Sequence, residues 1–329
     1  MEKAYLGYNP RLDIRERSSS GGLFYELASN ILSKNGVVYG ASFTEDFQVK
    51  HIRINDIEQL ECLLRSKYVQ SDIKEVYIPL EKDLKEGKYV MFAGTPCQIA
   101  AISNFARVNK LSCERLYLID FICHGVPSPK IWESYLSYLS KGEKIKEINF
   151  REKSKAGWHD YHFFVKYVNS REKKESHEIN AYMRTFLGDK NLRPACYNCK
   201  FKRDFYCSDI TLGDAWKIEK EKSEWSDDRG TSLFVVRTNK GKGLMEEIST
   251  KFISCETNYD KWGMYNPSMI NASIKPIGRK EFFDDFGKMS TNDFWEKYKK
   301  IPLKSNIKFM MKSIVRVLNL QKIIRKIVN

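Results

Sequence analysis

Cysteine placement constrains this chain more than any other feature. Cys196-Tyr197-Asn198-Cys199 sets two thiols three positions apart, so both can close on one metal centre without distorting the backbone. Such a pair needs two more soft ligands. Cys97 lies in Gly94-Thr95-Pro96-Cys97-Gln98, and Cys123 in Asp120-Phe121-Ile122-Cys123-His124-Gly125. Each follows an apolar run that reads as a buried strand, over 89–92 and 116–122. In an open α/β sheet, ligands gather at loops leaving the carboxyl ends of neighbouring strands. Four thiolates from three segments therefore predict a metal centre, with zinc and iron–sulfur both open. Cys207, eight residues after Cys199, is a possible substitute ligand. Cys62, Cys113 and Cys255 read as small buried hydrophobes.

The rest of the chain gives those cysteines a frame. Strand patterns over 37–43 and 49–54, 89–92 and 116–122 alternate with helical patterns over 23–32, 75–86, 96–107 and 129–139. This predicts an α/β (α+β) fold, with a mixed sheet and flanking helices over 1–142. Residues 143–303 carry antiparallel strand patterns (144–151, 158–168, 175–179) plus helices, including a helix over 242–252. A basic amphipathic tail helix follows over 304–329. Ser18-Ser19-Ser20-Gly21-Gly22 precedes the first of these helices. Serines capping it would leave amides free and glycines would let a ligand approach, which is the geometry that holds phosphate.

Charge narrows the function classes. Of the net +14, half sits in the tail, where seven Lys/Arg face no acid; a second cluster, Lys190, Arg193, Lys200, Lys202 and Arg203, flanks the cysteine pair. This is not one broad basic face, and no nucleic-acid partner is expected. Met1-Glu2-Lys3-Ala4-Tyr5 has no basic-then-apolar signal pattern, and eight cysteines without one suggest a reducing compartment. The expectation is a cytoplasmic protein, with the tail touching the inner membrane face peripherally.

Read in order, six motifs resemble one family: Ser18 to Gly22, Ser66-Lys67-Tyr68-Val69-Gln70-Ser71, Gly94 to Gln98, Cys123-His124-Gly125-Val126-Pro127-Ser128-Pro129, Cys196 to Phe201, and Ser208-Asp209-Ile210-Thr211. It is the coenzyme F420 hydrogenase/dehydrogenase beta-subunit family, and within it the bacterial type associated with polysaccharide biosynthesis. The resemblance implies an iron–sulfur flavoprotein oxidoreductase. Cys97, Cys123, Cys196 and Cys199 would ligate a 4Fe–4S cluster. FAD would lie against Ser18, Ser19, Ser20, Gly21 and Gly22 in the 1–142 part, with Ser66, Lys67, Tyr68, Gln70, Thr95 and Gln98 around it. His124 and Lys67 are the catalytic candidates, as proton donor and as stabiliser of negative charge. Two departures stand out. The chain starts at the core domain without the N-terminal ferredoxin module of many relatives, which implies a separate donor such as ferredoxin. Arg65 stands where the family often has glycine. The substrate would be a small molecule or a glycan precursor. The competing reading is a zinc-stabilised or redox-inactive scaffold or transferase-like protein of polysaccharide biosynthesis.

Overall fold

The computed structural model describes residues 3–153 and 157–300; the tail helix expected over 304–329 lies outside them. Among the described residues eleven strands form: β1 (Lys3–Tyr8), β2 (Val37–Phe43), β3 (Val49–Ile54), β4 (Val90–Gly94), β5 (Leu116–Phe121), β6 (Ile145–Glu152), β7 (His162–Tyr167), β8 (Glu172–Ser176), β9 (Ile210–Asp214), β10 (Ser232–Val236) and β11 (Ile253–Thr257). The α-helices are α1 (Leu12–Arg17), α2 (Leu23–Ser33), α3 (Tyr77–Lys85), α4 (Pro96–Val108), α5 (Pro129–Ser140), α6 (Ala181–Leu187), α7 (Ile218–Glu221), α8 (Asn239–Glu247), α9 (Tyr259–Tyr265), α10 (Arg279–Lys288) and α11 (Thr291–Lys299).

The expected mixed α/β fold is observed. Eight strands form one sheet in the order β11-β1-β10-β9-β5-β4-β2-β3. The central run β2, β4, β5 and β9 is parallel, and antiparallel strands finish both sides. The sheet thus takes strands from both sides of residue 142. Its central strands are buried on both faces, which explains their continuous apolar runs. Val38, Met91 and Ile119 pack against α2 and α8, whereas Tyr39, Phe92 and Leu118 pack against α3 and α4. A second sheet, β6-β7-β8, is antiparallel as expected. Its third strand runs Glu172–Ser176 rather than over 175–179. An aromatic core that includes Trp132, Tyr135, Phe150, Tyr182 and Trp295 joins this sheet to α5, α6, α10 and α11. No helix among the described residues is long and apolar enough to cross a membrane.

Three local readings are corrected. The helix expected over 242–252 runs from Asn239 to Glu247. Ile248 and Phe252 keep their apolar spacing through reverse turns, with Ser249 N on Glu246 O and Lys251 N on Ile248 O. No serine caps α2: Gly22 is the N-cap, at φ 90°. Cys62 and Cys113 are exposed, their thiols turned onto the carbonyls of Gln59 and Leu111, and Cys255 is half-buried.

One ionic group braces the aromatic wall that reaches the site. Trp158 stacks on Trp216 at 4.7 Å, and the His159 ring meets Trp158 edge-on. His159 Nδ1 lies 2.7 Å from Asp228 and Nε2 lies 3.6 Å from Glu219. Burial disfavours the imidazolium, but the two carboxylates outweigh it and raise the pKa to about 9. A pKa raised above the unfolded value contributes stability in full below about pH 6.5 and loses it as pH climbs through about 9. The expected loss is about 3 kcal/mol. Denaturant unfolding at pH 6 and 9.5 checks it: wild type should lose that much more stability than His159→Gln, and equal losses would refute the assignment.

Candidate functional site

The parallel strands β2, β4, β5 and β9 present their carboxyl ends along one edge, and a cavity of about 1100 Å³ lies over it. Cys97 and Cys123 line this cavity. Beyond β4, Thr95 and Gln98 form a capping box that starts α4; Gln98 Oε1 accepts from Thr95 N at 3.0 Å. Cys97 is thereby fixed in the first turn of α4, its Sγ 3.1 Å from Thr95 Oγ1. Beyond β5, Ile122 N still bonds to Leu212 O of β9, and Cys123 follows on the loop.

A second segment folds onto that loop. Pro127 and Leu192 form an antiparallel bridge, and Arg193 N donates to Val126 O at 3.0 Å. Gly125, at φ 146°, makes the approach possible. A β-carbon there would stand 2.7 Å from Leu192 Cδ1 and 3.4 Å from Cys196 Cβ. Residues Pro194–Asn198 form a short 3-10 helix carrying Cys196, with Cys199 at its end. Lys202, itself buried, donates to the carbonyls of Cys123 and Ser268, both at 2.6 Å, and pins the segment from the other side.

Cys97, Cys123 and Cys196 stand within electrostatic reach of one another, and Cys199 within reach of Cys196. Burial pushes the Cys123 thiol up to about 12; Lys202 opposes this, and the charges of Cys97 and Cys196 add to it. Burial likewise raises Cys196, with Cys199 and Cys97 contributing. Cys207 is exposed and takes no part in these couplings. Among the described residues, no three or more His, Cys, Asp or Glu side chains stand close enough to hold a single metal ion. Four thiolates are the donor set of an iron–sulfur cluster as well as of zinc. A cubane would bind each sulfur at a separate corner, and so asks for a wider spacing of the thiols than a single ion does.

The loops predicted to hold a flavin meet at the same cavity. Ser18, Ser19, Ser20, Gly22, Ser66, Lys67, Tyr68, Gln70, Thr95, Gln98 and His124 all line it. With Gly22 as a cap lacking a side chain, the first amides of α2 have no side-chain partner from the cap. Gly21 lies behind the lining, its α-carbon packed on the backbones of Gly7 and Ser232. Ser19 Oγ accepts from Ser66 N at 2.8 Å and stitches the two loops together. Arg65 adopts φ 68°, a left-handed conformation that glycine reaches without strain, and its guanidinium turns toward Glu61 and Glu147.

The two catalytic candidates differ in setting. Lys67 Nζ donates to Leu64 O at 2.7 Å, and burial lowers its pKa to about 7. His124 Nε2 faces Asp189 Oδ1 at 2.8 Å, with the ring edge on Phe186. Sequence reasoning missed Asp189, Asp120 and Arg151. Asp120 is fully buried in β5 beneath the cavity, and burial raises it to about 7 against the pull of Thr211, Ser208 and Arg237. Asp209 and Asp214 point to opposite faces, as alternation requires. Asp209 accepts from Leu118 N at 2.8 Å, and Asp214 pairs with Arg151 at 2.7 Å. Alternation in β6 gave no signal for Arg151, which follows the core residue Phe150 and is buried beside it.

Comparison with known proteins gives this geometry a context. The family model for the C terminus of the coenzyme F420 hydrogenase/dehydrogenase beta subunit matches residues 87–261. Among solved structures, the chain is similar to one in the F420-reducing NiFe hydrogenase complex from Methanosarcina barkeri. The two share 15% identity over 86% of this chain and 91% of that one, with a TM-score of 0.53. At that identity the likeness shows a shared fold. No curated protein matches.

Proposed function

Because the chain belongs to the coenzyme F420 hydrogenase/dehydrogenase beta-subunit family, whose model spans more than half of it, we propose that it is an iron–sulfur flavoprotein oxidoreductase. Hydrogenase-related, oxidoreductase-type function follows from the family itself. Our reading adds a 4Fe–4S cluster on Cys97, Cys123, Cys196 and Cys199, and FAD in the adjoining cavity. The observation that supports it is that Cys97 and Cys123 line that cavity while the segment bearing Cys196 and Cys199 is folded onto the loop of Cys123. When bound, a flavin beside such a cluster links two-electron exchange with a substrate to one-electron exchange with the cluster.

The chain's own residues have definable parts in this reading. Lys202 supplies a buried cation beside Cys123, which favours added negative charge there. Thr95 Oγ1 bonds to the Cys97 sulfur and fixes its rotamer. His124, which lines the cavity with its Nε2 2.8 Å from Asp189 Oδ1, is the ring offered to a bound molecule. Lys67, its pKa lowered by burial to about 7, offers a cation whose charge responds to a ligand's. The partners are a separate one-electron donor such as a ferredoxin and a small-molecule or glycan-precursor substrate of surface polysaccharide biosynthesis. The basic tail is assigned peripheral contact with an anionic membrane.

Oxygen-free purification followed by metal, sulfide and flavin analysis tests the reading. About four irons, matching sulfide and one FAD per chain are expected, with broad absorbance near ~400 nm. A colourless protein with one zinc would instead establish the scaffold reading.

A further inference from the structure

Arg151 is the most unusual polar residue in the cavity. It stands near the end of β6 and is only 5% exposed. Nη1 donates to Asp214 Oδ2 at 2.7 Å, while Nε and Nη2 are buried without a hydrogen-bond partner. Its plane is set by aromatic neighbours, with the guanidinium carbon 4.8 Å from the Tyr161 ring centre and 5.4 Å from that of Trp216. Arg151, Asp214, Tyr161 and Trp216 all line the cavity. Asp214 is itself held by Trp158 Nε1 at 3.2 Å, so the charged pair is fixed from both ends.

A buried guanidinium ordinarily has its donors satisfied, because an unpaired N–H away from water is costly. Here the pairing with Asp214 uses one corner, and although Tyr68 is close enough to interact with the guanidinium, no hydrogen bond fills its Nε/Nη2 edge. That edge offers two parallel N–H groups, which match two oxygens of one carboxylate or phosphate. A neutral carbonyl can accept from both, as Gly230 O does from Arg15, but it brings no countercharge to the guanidinium. We propose that Arg151 is an oxyanion-binding site in the cavity, taking a phosphate or carboxylate group of the molecule bound there. The proposal rests on the reading of this cavity as the cofactor and substrate cavity. It adds the charge and shape of one group of the ligand. The oxyanion belongs either to the dinucleotide's phosphates or to the substrate.

Arg151→Lys separates the fork from the charge, since lysine keeps a cation for Asp214 and loses the two-pronged edge. Arg151→Met is the second variant, and unchanged melting temperature identifies the variants fit for comparison. FAD, riboflavin and inorganic phosphate are titrated into wild type and variant, phosphate both with and without flavin loaded. If the cofactor supplies the oxyanion, Arg151→Lys weakens FAD by about tenfold or more and leaves riboflavin unchanged. If the substrate supplies it, both flavins bind as before, and the flavin-loaded wild type binds phosphate in a way the variant does not. Wild-type affinities for all three probes in Arg151→Lys would overturn the proposal. Should wild type bind no flavin, the flavin reading falls, and phosphate titration of the unloaded chain still decides for or against Arg151.

Discussion

Serine at Cys123 is expected to strip the protein of iron, from about four atoms per chain to below about one. Cys123 is the hub of the group. Its thiol is coupled to both Cys97 and Cys196, and its carbonyl holds Lys202. Burial opposes its ionisation so strongly that only a bound cation would keep it a thiolate. A serine hydroxyl, harder and far less acidic, does not replace that ligand. Serine at Cys97, Cys196 or Cys199 should have the same effect, whereas Cys62, Cys113, Cys207 and Cys255 should each be replaceable without loss. Iron and sulfide analysis of oxygen-free protein, with circular dichroism to confirm folding, checks the full set. Full iron in Cys123→Ser would end the ligand assignment, and loss in Cys207→Ser would restore that thiol as a ligand.

Gly125→Ala is the second large effect. Two independent costs meet there: φ is 146°, and the new methyl would lie 2.7 Å from Leu192 Cδ1, inside any tolerable contact. We expect about 2–4 kcal/mol of destabilisation, from backbone strain and overpacking together. If the proposed cluster is present the damage should also reach it, because Leu192 bridges to Pro127 and Cys196 Cβ sits 3.4 Å from the added carbon. Moving that segment separates Cys196 from Cys123, and iron content should fall by more than half. Gly142 is the control. It also has positive φ, at 88°, but nothing lies within 4 Å of an added methyl. Gly142→Ala should cost about 1 kcal/mol and keep all its iron. Equal iron in the two variants would show that the close approach at Gly125 does not position Cys196.

Much of this arrangement was legible in the sequence, for identifiable reasons. Cys97 and Cys123 each follow a buried strand, and a parallel sheet sends such residues to one edge. Arg151 was not legible. Its importance arises from β6 lying over the cavity and from Asp214 arriving on β9, a meeting that no local periodicity encodes. The edge strand β11 escaped notice because Ile253–Thr257 is short and mostly exposed. The cap of α2 was misassigned because serines and glycines stand side by side, and only the backbone angle shows that Gly22 turns the chain. Arg65 shows the reverse case, where a difference from the family's usual glycine falls on a backbone angle that glycine would favour.

Strands β5 and β9 lie side by side, yet the described residues between Cys123 and Ser208 leave the sheet between them and come back. That excursion carries Cys123, Cys196, Cys199, His124 and Arg151, while its two ends are held in register by neighbouring backbones. A lineage with this architecture is free to rewrite the detour, by insertion or by exchange of side chains, and so adopt a new reactant. The platform that clamps both ends would not have to be redesigned.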